Sequence, residues 1–185
     1  MVVKGKVGIA CFTGGLLGLI LALFTFQKGF VHRNELHQLE ASVDQATRTL
    51  LDRSRERLHW FETLPSAQVT ASERALLESA SKVQSQIQSQ TAPILTPEWH
   101  ELHERINQVG ARLTAMIYPT DRAKYREWEK LDHALSLQLD DYLSSLNRWN
   151  EAVENRPSWL KSWVAATPRH DPWLSLSAHF VKNEN

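Results

Sequence analysis

Residues 7–26 form a run of 20 without a single charge. At 1.5 Å per residue, a helix of that length spans roughly 30 Å, the hydrocarbon thickness of a bilayer. Lys4 and Lys6 flank one end, Lys28 and Arg33 the other. A cleaved signal peptide would have a shorter apolar stretch ending in small residues. Here the far end reads Leu23-Phe24-Thr25-Phe26-Gln27, and Cys11 follows Gly8-Ile9-Ala10 with too little sequence before it for a lipoprotein site. The segment is therefore read as a retained transmembrane helix. Its small residues Gly8, Cys11, Gly15, Gly18, Ala22 and Thr25 recur at steps of three and four, and Gly14 with Gly18 makes a small-xxx-small pair. Small side chains let helix backbones approach closely in lipid, so this stripe is expected to be a helix-association seam. The positive-inside rule favours a cytoplasmic N-terminus by a narrow margin, which places the remainder on the non-cytoplasmic side of the cell membrane.

Beyond Phe30 the only glycine is Gly110. Apolar residues recur with helical spacing, and the period-two alternation of strands is missing. Leu36, Leu39, Val43, Ala46 and Leu50 hold a three-four spacing that Ser54, Leu58 and Phe61 continue. No proline interrupts it before Pro65, so the membrane helix is expected to run on as one rod to about Thr63, roughly 85 Å in all. Thr70-Ala71-Ser72-Glu73 is a capping box opening a second helix, with Leu76, Ala80, Val83, Ile87 and Ile94 inward and Gln84, Ser85 and Gln86 outward. Thr96-Pro97-Glu98 opens a third, with Trp99, Leu102, Ile106, Val109, Leu113 and Met116 on its stripe. Tyr118-Pro119 ends it, and Thr120-Asp121 caps a fourth that runs to Asn155. Its inner face carries Trp128, Leu131, Leu135, Tyr142, Leu146, Trp149 and Val153, with Gln138 as a polar break. A shorter amphipathic piece covers about residues 158–166. The expected fold is all-α. It has a short flank (residues 1–6), a transmembrane helix (7–26), an antiparallel bundle of about four long helices (27–155), and a short C-terminal helix with a Trp-rich tail (156–185).

Charge limits the partners. Formal net charge is zero, but the first 30 residues hold three lysines and no acid, leaving 18 of the 21 basic residues against 21 acidic ones, a net of −3. That balance has no electrostatic footprint for nucleic acid. A single cysteine supports neither a disulfide framework nor a zinc ligand set. His100, His103 and Glu104 share a helical turn at a spacing that can hold a metal, but without a further ligand they are read as a solvated face beside Trp99. His59 and His133 stand isolated. Arg48, Arg53, Arg55 and Arg57, mixed with Asp52 and Glu56, read as salt-bridged surface. No nucleophile elbow or phosphate loop occurs, so no cofactor, metal or enzymatic activity is expected. Trp99, Trp128 and Trp149 fill the core. Trp159, Trp163 and Trp173 either close the bundle end, the preferred reading, or form a partner or membrane-interface surface.

Leu146-Asn147-Arg148-Trp149-Asn150-Glu151-Ala152-Val153, followed by Pro157-Ser158-Trp159-Leu160, resembles the C-terminal signature of the bacterial LemA family. There, an aromatic-Asn pair on the last long helix precedes a proline and a short apolar helix. Tyr118-Pro119 sits where that family often ends its previous helix, and residues 168–176 are similar in style. The plan of one membrane helix followed by a bundle also matches. The family's N-terminal Asp-Leu-Ile-Pro-Asn-Leu type run is replaced here by Asp52-Arg53-Ser54-Arg55-Glu56-Arg57. The likeness is therefore local to about residues 138–176 and architectural elsewhere. It implies a membrane-anchored helical protein without known catalysis, one that assembles or supports other membrane proteins. The functional expectation is a scaffold or interaction protein that self-associates or serves a membrane assembly. The alternative is a sensor-like domain binding a small ligand between helices.

Overall fold

The computed structural model describes residues 4–161, 166–169 and 171, with side chains from Gly18 onward. The described residues are all helical or connecting, without strands: α1 (Lys4–Glu62), α2 (Ala71–Gln88), α3 (Pro97–Ile117), α4 (Arg122–Glu154) and α5 (Ser158–Lys161). α1 is a single 59-residue helix, about 88 Å at 1.5 Å per residue. Among the described residues no helix is long and apolar enough to cross a membrane. The side chains of residues 7–17, more than half of the uncharged run, lie outside them.

The helix starts follow from local chemistry. The Thr70 hydroxyl accepts from the Glu73 amide while Glu73 accepts from the Thr70 amide at 2.8 Å. This reciprocal box satisfies donors that the first turn leaves unpaired. Thr96 caps α3 with Pro97 in the first turn, and Asp121 accepts from the amides of Ala123 and Lys124.

Each of the four long helices runs antiparallel to the next. Leu51 meets Gln84 across α1 and α2, Glu73 meets Arg112 across α2 and α3, and Gly110 meets Trp128 across α3 and α4. α1 and α4 also pair directly, from Phe61 against Trp128 at one end to Gly29 against Trp159 and Leu160 just past the other. The helices differ in length. α4 has 33 residues, against 18 in α2 and 21 in α3. It therefore follows α1 beyond the level where α2 and α3 stop, and the protein is a four-helix body continued by a two-helix stem.

Several expected facings change. Ile94 is exposed and Leu95 buried, because α2 ends at Gln88 and helical spacing no longer governs the loop. Met116 is exposed while Ile117 is buried: a strict three-four repeat drifts around a straight helix of 3.6 residues per turn. Gln84 is interior rather than surface, its amide donating to the Leu51 carbonyl. Arg57 belongs to the core, not to the charged surface that Arg53 and Glu56 form.

Candidate functional site

Among the described residues, most of the exposed large apolar side chains lie on α1 at the stem end. Leu19, Ile20, Leu21, Leu23, Phe24, Phe26, Phe30 and Val31 are all exposed, Leu19 at 61% and Phe30 at 57%. They spread over more than one face of α1, with Gly18, Ala22, Thr25 and Gly29 on the remaining side. The next buried apolar side chain is Leu36. Between the two zones α5 folds back onto α1: the space a Gly29 side chain would take lies 3.6 Å from Trp159 and 3.8 Å from Leu160. Leu160 is buried there, while Trp159 stays 43% exposed. Trp159 and Leu160 thus form a collar against α1 at Gly29, with Trp159 partly exposed. Trp163 and Trp173 lie outside the described residues, as do the side chains at Gly8, Cys11, Gly14 and Gly15. At Gly18 nothing approaches within 4 Å of where a side chain would start, and Ala22 is exposed. Among the described residues no other helix packs on Gly18, and Thr25 of the same stripe donates only within α1, to the Leu21 and Ala22 carbonyls.

Further along the stem, the returning chain is fastened between α1 and α4. Asn150 makes a two-point contact with the backbone of Arg169, donating to its carbonyl at 2.9 Å and accepting from its amide at 2.8 Å. The Trp149 indole donates to the Thr167 carbonyl at 3.3 Å. The Arg169 guanidinium reaches Asp44 at 2.7 Å and Glu40 at 3.3 Å on α1 and lies over the Trp149 ring. Two residues on, Asp171 is buried, accepts from the Tyr142 hydroxyl at 2.7 Å and stands 3.3 Å from His100 Nε2. Burial, and then the bond to Asp171, push the Tyr142 phenol well above its ordinary pKa. This fastening joins the stem to the body. It gives the Trp149-Asn150 pair a structural role that the helical stripe alone does not reveal.

The expected solvated face around Trp99 is instead interior. His100 and His103 are 6% and 8% exposed. His103 stacks on Trp99 with ring centres 5.0 Å apart, and His100 meets its edge. Asp171 lies on α3 at His100 in addition to the helical neighbours of α3, so the buried face is wider than one stripe. Glu104 stays on the exposed side, so the three residues do not converge; no group of three metal-ligating side chains gathers among the described residues. Burial, with Arg57 and His100 adding to it, lowers the His103 pKa to about 3, so the ring is neutral at physiological pH. Arg57 pairs with Asp132 at 3.0 Å and lies 4.4 Å over the Trp128 ring. Its pKa is drawn down by burial and held up by Asp132. A cleft of about 800 Å³ opens beside it between α3 and α4.

Sequence spacing could have revealed Arg57, which lies three after Ser54 and four before Phe61 on the buried stripe. Asp171 and Arg169 carried no periodic signal, since they sit in non-helical chain. No family model, no curated protein and no solved structure matches this chain.

Proposed function

We propose that the protein is a membrane-anchored helical scaffold: α1 inserts in the bilayer through residues 7–26, and the bundle is held at the surface to engage itself or other membrane proteins. The observation that carries this reading is the exposure of Leu19, Ile20, Leu21, Leu23, Phe24, Phe26, Phe30 and Val31 on α1, ahead of Leu36, the first buried apolar side chain of the bundle. Such a surface is too large and too apolar for water and matches lipid. The uncovered positions Gly18 and Ala22 support self-association through the small-residue seam. Divergent LemA kinship belongs to the same proposal. It rests on the Trp149-Asn150 pair and the proline-led short helix, residues with defined tasks in fastening the stem.

Crosslinking in native membranes followed by mass spectrometry of captured proteins tests the scaffold role. Self-crosslinks or a recurrent membrane-protein neighbour are expected; a chain that captures neither is not a scaffold. Orientation is tested by reporters fused after Asn185. One active only outside the cytoplasm is expected to work, and activity of a cytoplasm-only reporter reverses the assignment. The sensor-like alternative is favoured by one feature, the α3–α4 cleft lined by His103, Asn107, Tyr125, Glu129 and Asp132. A ligand there would raise the melting temperature in a small-molecule screen.

A further inference from the structure

Where α5 lies on α1, the two helices leave a pocket of about 350 Å³. One part of its wall is apolar: Phe24, Val31, Trp159 and Leu160. The other is polar: Gln27, Lys28, His32 and Glu35. We infer that this pocket seats one zwitterionic phospholipid of the phosphatidylethanolamine type, with its phosphate at Lys28, its ammonium at Glu35 and the start of an acyl chain against the Phe24–Trp159 side. The inference rests on the membrane reading of α1 and adds a specific ligand to it.

Three observations favour this occupant. The first is depth. The pocket straddles the end of the uncharged run at Phe26, so with residues 7–26 in the bilayer it lies where chains meet headgroups. The second is order. Moving outward along α1 the lining presents Phe24, then Lys28, then Glu35, the order of chain, phosphate and amine in a phospholipid. Lys28 to Glu35 is seven residues, about 10 Å of rise, which two long side chains can close over one headgroup. The third is charge. The wall holds one lysine and one glutamate, complementary to a ligand with one charge of each sign rather than to an anion alone. Among the described residues Glu35 pairs with His32 alone, at 3.3 Å, and its side chain is 61% exposed. An exposed pair of that kind holds its carboxylate weakly. The Lys28 ammonium lies 4.7 Å from the Phe24 ring, already turned toward the apolar end where a phosphate would sit. The exposed Trp159 ring supplies the amphipathic wall favoured at this depth.

The test uses the full-length chain extracted in mild detergent with mixed lipids and weighed intact by native mass spectrometry. Membrane insertion is scored separately by resistance to alkaline extraction. One retained phosphatidylethanolamine per chain is expected, in preference to phosphatidylglycerol. Lys28→Gln should lower its retention about tenfold, the value of one charge-assisted contact. Glu35→Gln should remove the preference over phosphatidylglycerol while some lipid remains. Glycerophosphoethanolamine, which lacks the chains, should not displace it. Retention that ignores both variants, or a preference for phosphatidylglycerol, overturns the inference while insertion stands. Displacement by the chainless headgroup overturns it as well. A chain released by alkali loses the membrane reading, and this inference with it.

Discussion

Gly110 offers the sharpest test of the packing, because two well-understood effects oppose each other there. In an exposed helix, replacing glycine by alanine gains about 1 kcal/mol. Here a Cβ on residue 110 would lie 2.2 Å from Cζ2 and 2.5 Å from Cη2 of Trp128. Those distances are more than 1 Å inside ordinary carbon contact of about 3.5–4.0 Å. The indole cannot step aside easily. Its ring centre is 4.8 Å from Trp60 and 5.2 Å from Phe61, and Arg57 lies 4.4 Å over it. Overpacking of a well-filled core costs about 1–3 kcal/mol, and more where the neighbour is rigid. With the ring hemmed in on three sides the cost lies at the upper end, about 2–3 kcal/mol, so Gly110→Ala should lose about 1–2 kcal/mol net of its helical gain. The measurement is thermal unfolding of the full-length chain in detergent by far-UV circular dichroism. The same substitution in a Trp128→Phe background should be neutral or stabilising, since the clashing ring atoms are gone; that non-additivity identifies the contact. A Gly110→Ala protein as stable as the parent would refute the α3–α4 packing described above.

Three further outcomes follow from named contacts. Trp149→Ala should cost about 3–5 kcal/mol through the cavity it leaves, and Asn150→Ala about 1–2 kcal/mol through the lost two-point contact with Arg169, both read by thermal melting. His103 has a folded pKa of about 3, below its unfolded value near 6.5, so the unfolded chain binds more protons between them. Stability from its burial is complete above about pH 6.5. It falls by about 1.4 kcal/mol per pH unit as the pH drops toward 3, and a His103→Phe chain should show a flatter melting profile over that window. If the seam associates, oxidation in membranes should join Cys11 to its copy in a second chain, and Gly15→Leu with Gly18→Leu should suppress that dimer; an unaffected dimer makes the glycines incidental.

The helices were legible because their signals are local. The Thr70-Glu73 box, the Thr96-Pro97 start and the Asp121 cap act within four residues, and the three-four stripes place Leu50, Leu113, Trp128 and Trp149 inward. Trp60, buried at 1% exposure, fell beside the counted stripe: α1 is covered by both α2 and α4, and a helix between two neighbours buries more than one line of residues. The same widening drew in His100, His103 and Gln84, whose polarity had suggested solvent. The fastening of the stem was only half legible. Trp149 and Asn150 stood out as a pair, but their partners Thr167 and Arg169 lie in non-helical chain, where no period announces a contact. The collar at Gly29 and Trp159 depends on two segments 130 residues apart, and nothing in either segment names the other.

The proposed membrane position of α1 is tested most directly by a spin label at residue 20. The label would replace Ile20 through a cysteine, with Cys11→Ser to leave one thiol, in the full-length chain reconstituted into vesicles. A second label at Gln45, exposed on the same helix beyond the collar, serves as the reference. Relaxation by dissolved oxygen and by a water-soluble nickel chelate gives the depth of each. The account predicts that the residue 20 label is open to oxygen and shielded from nickel, while the residue 45 label is open to nickel. Equal access of nickel to both labels would contradict it: α1 would then project into water, and the apolar surface of its first half would need another partner.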